Sequence, residues 1–135
     1  MPFMLDTTAF SDLMREHPRV QTRLSVLAPT ERVSICPVVR GEILHGLARL
    51  PASQRRRDLE TKAVRLFAAV PCESIPEAAA DHYAEIKLTR QKKGLASDEN
   101  DLWIAASARE AGATLVTRDT DFQQIDGLAV EDWSR

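Results

Sequence analysis

Four carboxylates stand where short apolar runs meet polar ones. Asp6 follows "PFML", Glu42 falls within "VVRGEILHGL", Asp101 precedes "LWIAA", and Asp119 follows "TLVTR". One such acid on its own is a turn residue or a helix cap, because Asp bonds nearby backbone amides well. Four drawn to one place need another account. Two unit charges ~6 Å apart at an effective dielectric of about 20 repel by roughly 3 kcal/mol, and four acids make six pairs. A divalent ion or bound protons must offset that cost. The donors are all oxygen, with no His or Cys among them, which favours a hard ion, Mg2+ or Mn2+. No nucleophilic Ser, Cys or Lys belongs to the set. The chemistry to expect is metal-activated water attacking a phosphodiester.

Only a fold can gather these acids. Short apolar runs alternate with helical patterns along the 135 residues, which implies one α/β domain built from βαβ units. Strands are expected at 2–5, 32–35, 69–73, 114–116 and near 128–130, with Pro71 marking the third as an edge. Helices are expected at 8–17, stopped by Pro18, and at 19–28, with Val20, Leu24 and Leu27 on one face. Pro37 opens a helix over 37–50 whose stripe is Val39, Ile43, Leu47 and Leu50. The next helix, 54–68, carries Leu59, Ala63, Leu66 and Phe67, and that at 76–93 runs through Ala79, Tyr83, Ile86 and Arg90 to Gly94. "NDLWIAASAREAG" is the clearest helix, capped by Asn100 or Ser97, with Ile104, Ala105 and Ala108 toward a sheet and Gly112 at its close. A short helix follows at "DFQQI". Right-handed crossovers bring the strand ends and helix starts to one edge of a five-stranded, mostly parallel sheet, where ligands bind. The four acids converge there.

The bulk numbers exclude several classes. A hydrophobic share of 44% and a charged share of 28% are ordinary for a soluble globular protein. No apolar run approaches the ~20 residues of a membrane span. The N-terminus has neither the basic region nor the long apolar stretch of a signal peptide, so a cytoplasmic protein is expected. Cys36 and Cys72 lack CxxC spacing and are expected to be buried thiols in a reducing compartment. A net charge of −2 argues against a protein that merely coats nucleic acid. Even so, Arg55, Arg56 and Arg57 stand in a row, and Lys87, Arg90, Lys92 and Lys93 cluster. These are solvated helix ends or phosphate contacts. A haloacid-dehalogenase-like phosphatase wants a second Asp two residues after Asp6, and Thr8 stands there. A receiver domain wants its phosphorylated Asp after the third strand, and "VPCESIP" offers none.

"MLDTTAF", "VVRGEILHGL", "NDLWIAASA" and "TLVTRDTDF" together resemble the PIN-domain ribonucleases, most closely the VapC-type toxins of bacterial toxin–antitoxin pairs. The similarity covers essentially the whole chain, 1–135, in the family's order and spacing. It implies a PIN-like three-layer sandwich, with helices flanking the sheet. It assigns the acidic metal site to Asp6, Glu42, Asp101 and Asp119, with Asp121 as an auxiliary ligand. It further implies cleavage of RNA, Mg2+ or Mn2+ dependence, a homodimer or a larger complex, and a cognate antitoxin whose C-terminal peptide crosses the active-site groove. A PIN-like nucleic-acid-binding component of such a complex, with little nuclease activity, is the alternative.

Asp98 lies three residues before Asp101, shares its helix face and competes for the ligand role. Asp101 is preferred because it directly precedes "LWIAA". Thr7 and Thr117 carry hydroxyls beside the acids and orient a ligand or bond local backbone, the latter being expected of Thr7. Arg118 neutralises a carboxylate, meets a phosphate or faces solvent. His45 is close enough on its helix to reach Glu42 and reads as an ordinary histidine. Trp103 and Trp133 read as core or interface. Arg55, Arg56, Arg57, Lys92 and Lys93 are the candidates for RNA phosphates.

Overall fold

The computed structural model describes residues 2–135. Among these residues, four short strands form the sheet: β1 (Pro2–Leu5), β2 (Arg32–Ser34), β3 (Thr114–Val116) and β4 (Val130–Glu131). Their order is β2-β1-β3-β4. All pairs are parallel; Phe3 lies opposite both Val33 and Thr114, and Leu115 opposite Val130. Parallel pairing puts every C-terminal strand end on one edge, the edge that carries the acids. β1 and β3 are central and covered on both faces, so they read as unbroken apolar runs and not as alternating ones.

Among the described residues, six helices flank the sheet: α1 (Thr7–Met14), α2 (Pro18–Ser25), α3 (Pro37–Ala48), α4 (Gln54–Ala69), α5 (Ala79–Lys92) and α6 (Glu99–Glu110). α5 packs on α6 and α6 on β3, while α1 touches α2, α3 and α4. The core is continuous through Leu5, Phe10, Ile35, Val39, Leu102, Ile104 and Leu115, each such side chain contributing roughly 1.5–3 kcal/mol by leaving water. Among the described residues, no helix is long and apolar enough to cross a membrane.

Several expectations need correction. The strand expected at 69–73 shrinks to one bridge, Ile35 opposite Cys72. Pro71 accepts from the Ile35 amide but has no N–H to return, and only the Glu73 amide completes the pairing. The sheet therefore has four strands plus this outer contact. The last strand begins at Val130, two residues later than expected. α1 stops at Met14, and the chain turns through Glu16 at φ 58°; Pro18 is then the first residue of α2 and not merely a stop. Cys36 is buried, but Cys72 is exposed, because the edge contact that carries it has no further layer outside; both thiols are free.

Candidate active site

Each acid owes its position to a backbone boundary. Asp6 follows β1 and caps α1. One of its oxygens accepts from the Ala9 amide at 2.9 Å and from the Thr8 hydroxyl at 2.6 Å; the other accepts from the Thr117 hydroxyl. The residue is only 3% exposed. Burial pushes its carboxyl above the ordinary value, the bonds from Thr117, Thr8 and Ala9 pull it back, and the charge of Asp119 adds to the rise.

Glu42, half-buried in α3, accepts a 2.6 Å bond from the Thr7 hydroxyl. The expectation that Thr7 bonds local backbone is thus corrected: its position at the start of α1 faces it across to α3, which packs on α1. Thr117, buried at the end of β3, does two things at once. It donates to Asp6 and accepts from the Asp119 amide at 2.9 Å. Asp119 in turn caps the 3-10 helix Thr120–Gln124, taking the Asp121 amide at 3.0 Å. Asp121 is exposed and shares a small cavity with Asp98, Asp101, Arg90 and Phe122.

The helix that presents Asp101 is capped by Asp98, not by Asn100 or Ser97. Asp98 has the extended backbone of a cap and accepts from the amides of Asn100, at 2.8 Å, and Asp101, at 3.2 Å. Ser97 is taken by Arg90, and Asn100 already lies inside the helix. Asp98 is therefore engaged with backbone, whereas Asp101 projects from the first turn. Burial pushes the Asp101 carboxyl up to about 7, helped by the negative charges of Asp98, Asp119, Glu42 and Asp6 in that order. The charges of the other three expected acids, with Asp98 added, thus reach Asp101, and that of Asp119 also reaches Asp6. As they stand, no group of three or more His, Cys, Asp or Glu among the described residues is set to hold a metal ion.

The basic candidates divide. Arg55, Arg57, Lys92 and Lys93 are exposed. Arg56 is half-buried, held by Glu60 at 3.2 Å and the Leu50 carbonyl at 3.0 Å, so it secures the start of α4. Lys87 bonds Glu99 at 2.6 Å and Tyr83, and Arg90 is buried. Arg118 pairs with Asp12 at 3.2 Å, and Asp12 is a buried acid that no sequence signal marks. His45 is exposed. Trp133 lies in the core, edge-on to Phe3, while Trp103 stacks on Tyr83 with ring centres 4.2 Å apart.

Comparison with known proteins gives a consistent result. The PIN domain family profile matches residues 3–128. Ribonuclease VapC1 of Haemophilus influenzae (strain R2866) is 31% identical over 138 residues, covering 100% of both chains. Among solved structures, VapBC2 from Rickettsia felis, bound to a DNA fragment from its promoter, superposes with a TM-score of 0.89 at 27% identity, covering 98% of this chain and 99% of that one. VapBC-1 from nontypeable Haemophilus influenzae gives a TM-score of 0.86 at 30% identity over 100% of both chains.

Proposed function

The chain belongs to the PIN-domain family, and on that premise we propose that it is a VapC-type endoribonuclease toxin, a single domain that hydrolyses RNA with Mg2+ or Mn2+ and is neutralised by a cognate antitoxin. One observation carries the reading: Asp101 is pushed up to about 7 by burial and four surrounding carboxylates, and no hydrogen bond offsets them. A cluster this unfavourable in the metal-free protein is what a divalent cation relieves. The donor set is oxygen only, which fits Mg2+ or Mn2+. Asp6, Glu42, Asp101 and Asp119 would hold the ion, with Asp121 as an auxiliary ligand. When bound, it supplies Lewis acidity at the phosphate and lowers the pKa of bound water.

The chain's own part is to hold several of these oxygens in place. Thr117 and Thr8 pin both oxygens of Asp6, and Thr7 pins Glu42. The cap bonds of Asp98 and Asp119 set the starts of α6 and the 3-10 helix. Such bonds fix Asp6 and Glu42 in advance of substrate. Exposed Arg55, Arg57, Lys92 and Lys93 are the candidates for backbone phosphates. Similarity to VapBC complexes supports an antitoxin partner and assembly beyond a monomer.

The test is cleavage of a pool of structured RNAs in Mg2+ or Mn2+, with EDTA and Asp6→Asn as controls. Cleavage is expected to need both the metal and Asp6. Undiminished cutting in chelator sinks the mechanism. Folded protein that binds RNA or promoter DNA without cutting turns the reading to a nucleic-acid-binding component of the toxin–antitoxin complex.

A further inference from the structure

The geometry points to Arg90 as the positioning residue that locks the two acid-bearing segments of the site to each other, an inference that rests on the nuclease reading above and deepens it. Arg90 lies near the end of α5 and is 7% exposed. Arginine is seldom buried without a carboxylate partner, yet its bonds here go to neutral oxygens. Nε donates to the Ser97 hydroxyl at 2.6 Å, and one terminal nitrogen donates to the Ala96 carbonyl at 2.9 Å. The other terminal nitrogen reaches the Asp121 carbonyl at 3.4 Å. Ala96 and Ser97 immediately precede Asp98, which caps α6 and so sets Asp101. Asp121 belongs to the 3-10 helix that Asp119 caps. One guanidinium therefore spans the two segments that carry Asp101 and Asp119 to the sheet edge.

The fork matters here more than the charge. The segment between α5 and α6 is exposed from Gly94 through Asp98 except at Leu95, so packing does little to hold it. Arg90 grips it twice. Its carbonyl accepts the Leu95 amide at 2.9 Å, a turn that Gly94 permits at φ +71°, and its side chain takes Ala96 and Ser97. A lysine ammonium at this depth keeps the charge but cannot present a planar set of donors to three oxygens.

The experiment compares Arg90→Lys and Ser97→Ala with wild type, with Asp6→Asn as the inactive control. Four quantities are read: affinity for Mn2+ alone, amide hydrogen exchange over residues 98–101 and 119–122 in metal-free protein, thermal melting, and RNA cleavage. Arg90→Lys is expected to melt cooperatively, to bind Mn2+ about tenfold more weakly or worse, and to exchange the Asp101 and Asp121 amides faster than wild type. The cores of α5 and α6 should keep their protection. Ser97→Ala should move the same readouts in the same direction by less. Wild-type exchange and wild-type Mn2+ affinity in both variants overturn the clamp. If Arg90→Lys does not fold, Ser97→Ala, on an exposed segment, decides by the same two readouts. If wild type neither binds Mn2+ nor cuts RNA, the nuclease reading fails while the exchange comparison still decides whether Arg90 holds the two segments.

Discussion

Asp119 serves both as a local cap and as a member of the acid cluster. It takes the Asp121 amide at 3.0 Å as a cap does, and its charge bears on Asp6 and Asp101. Asparagine keeps the first role and loses the second. Asp119→Asn is expected to leave the metal-free fold as stable as wild type or more so, since a repelling charge is gone, while cleavage falls by orders of magnitude. Melting in EDTA beside cleavage in Mn2+ measures both; a variant that melts much earlier and cuts normally returns Asp119 to a purely local role. The positions of the acids are legible in sequence because an apolar run marks where a strand ends, and that is a one-dimensional signal. Their partners are not legible in the same way. Thr7 finds Glu42 across 35 positions, Thr117 finds Asp6 across 111, and Arg118 finds Asp12 across 106. Spacing carries no trace of such pairs.

At the start of α6, one element holds two acids in different employment. Asp98 is expected to act through the backbone: Asp98→Ala frees two amides and costs about 0.5–2 kcal/mol, while Asp98→Asn keeps the cap. Denaturant titration should therefore separate alanine from asparagine at position 98, with cleavage in the asparagine variant staying close to wild type. A loss in Asp98→Asn as deep as in Asp101→Asn would make Asp98 a ligand. The exposed helix ends give a second prediction. Neutralising Arg55 and Arg57, or Lys92 and Lys93, should weaken RNA binding and flatten its dependence on salt, whereas Arg56, tied to Glu60 and Leu50, should show its effect in stability. Unchanged salt slopes for both pairs would leave them as solvated surface. The long periodic helices are readable because their stripes recur over several turns; Val39, Ile43 and Leu47 all reach the core. The segment at 69–73 misleads because its apolar residues suit a strand while Pro71 removes the donor that would extend the pairing beyond Cys72.

For the molecule as a whole, the acid edge sets how stability depends on pH and metal. Asp6 and Asp101 have folded-state values raised above the ordinary 3.8, Asp101 to about 7. The fold thus favours their protonated forms. Their contribution is fully present below the unfolded value and is lost as pH rises through the folded one, so metal-free protein should lose stability between about pH 4 and 7. Glu99 and Asp132 shift the other way: bonds from Lys87 and Tyr83 hold exposed Glu99 low, and at half-buried Asp132 the bonds from Ser134 outweigh burial, so their losses fall below their ordinary values of 4.5 and 3.8. The window between those values and neutrality belongs to the cluster. A divalent ion that binds only the folded state adds stability, and it must displace protons from the same carboxylates. The upward shift in melting temperature given by Mn2+ should therefore be large on the alkaline side of 7 and small in acid. Asp101→Asn should flatten the metal-free slope and remove most of the shift, because one variant deletes both the titrating group and a ligand. Melting curves of wild type and variant, with and without Mn2+ across that range, make the comparison. A wild-type shift of equal size at both ends of the range, or one retained in full by Asp101→Asn, would separate the strained carboxyls from the metal and remove the electrostatic basis for the site.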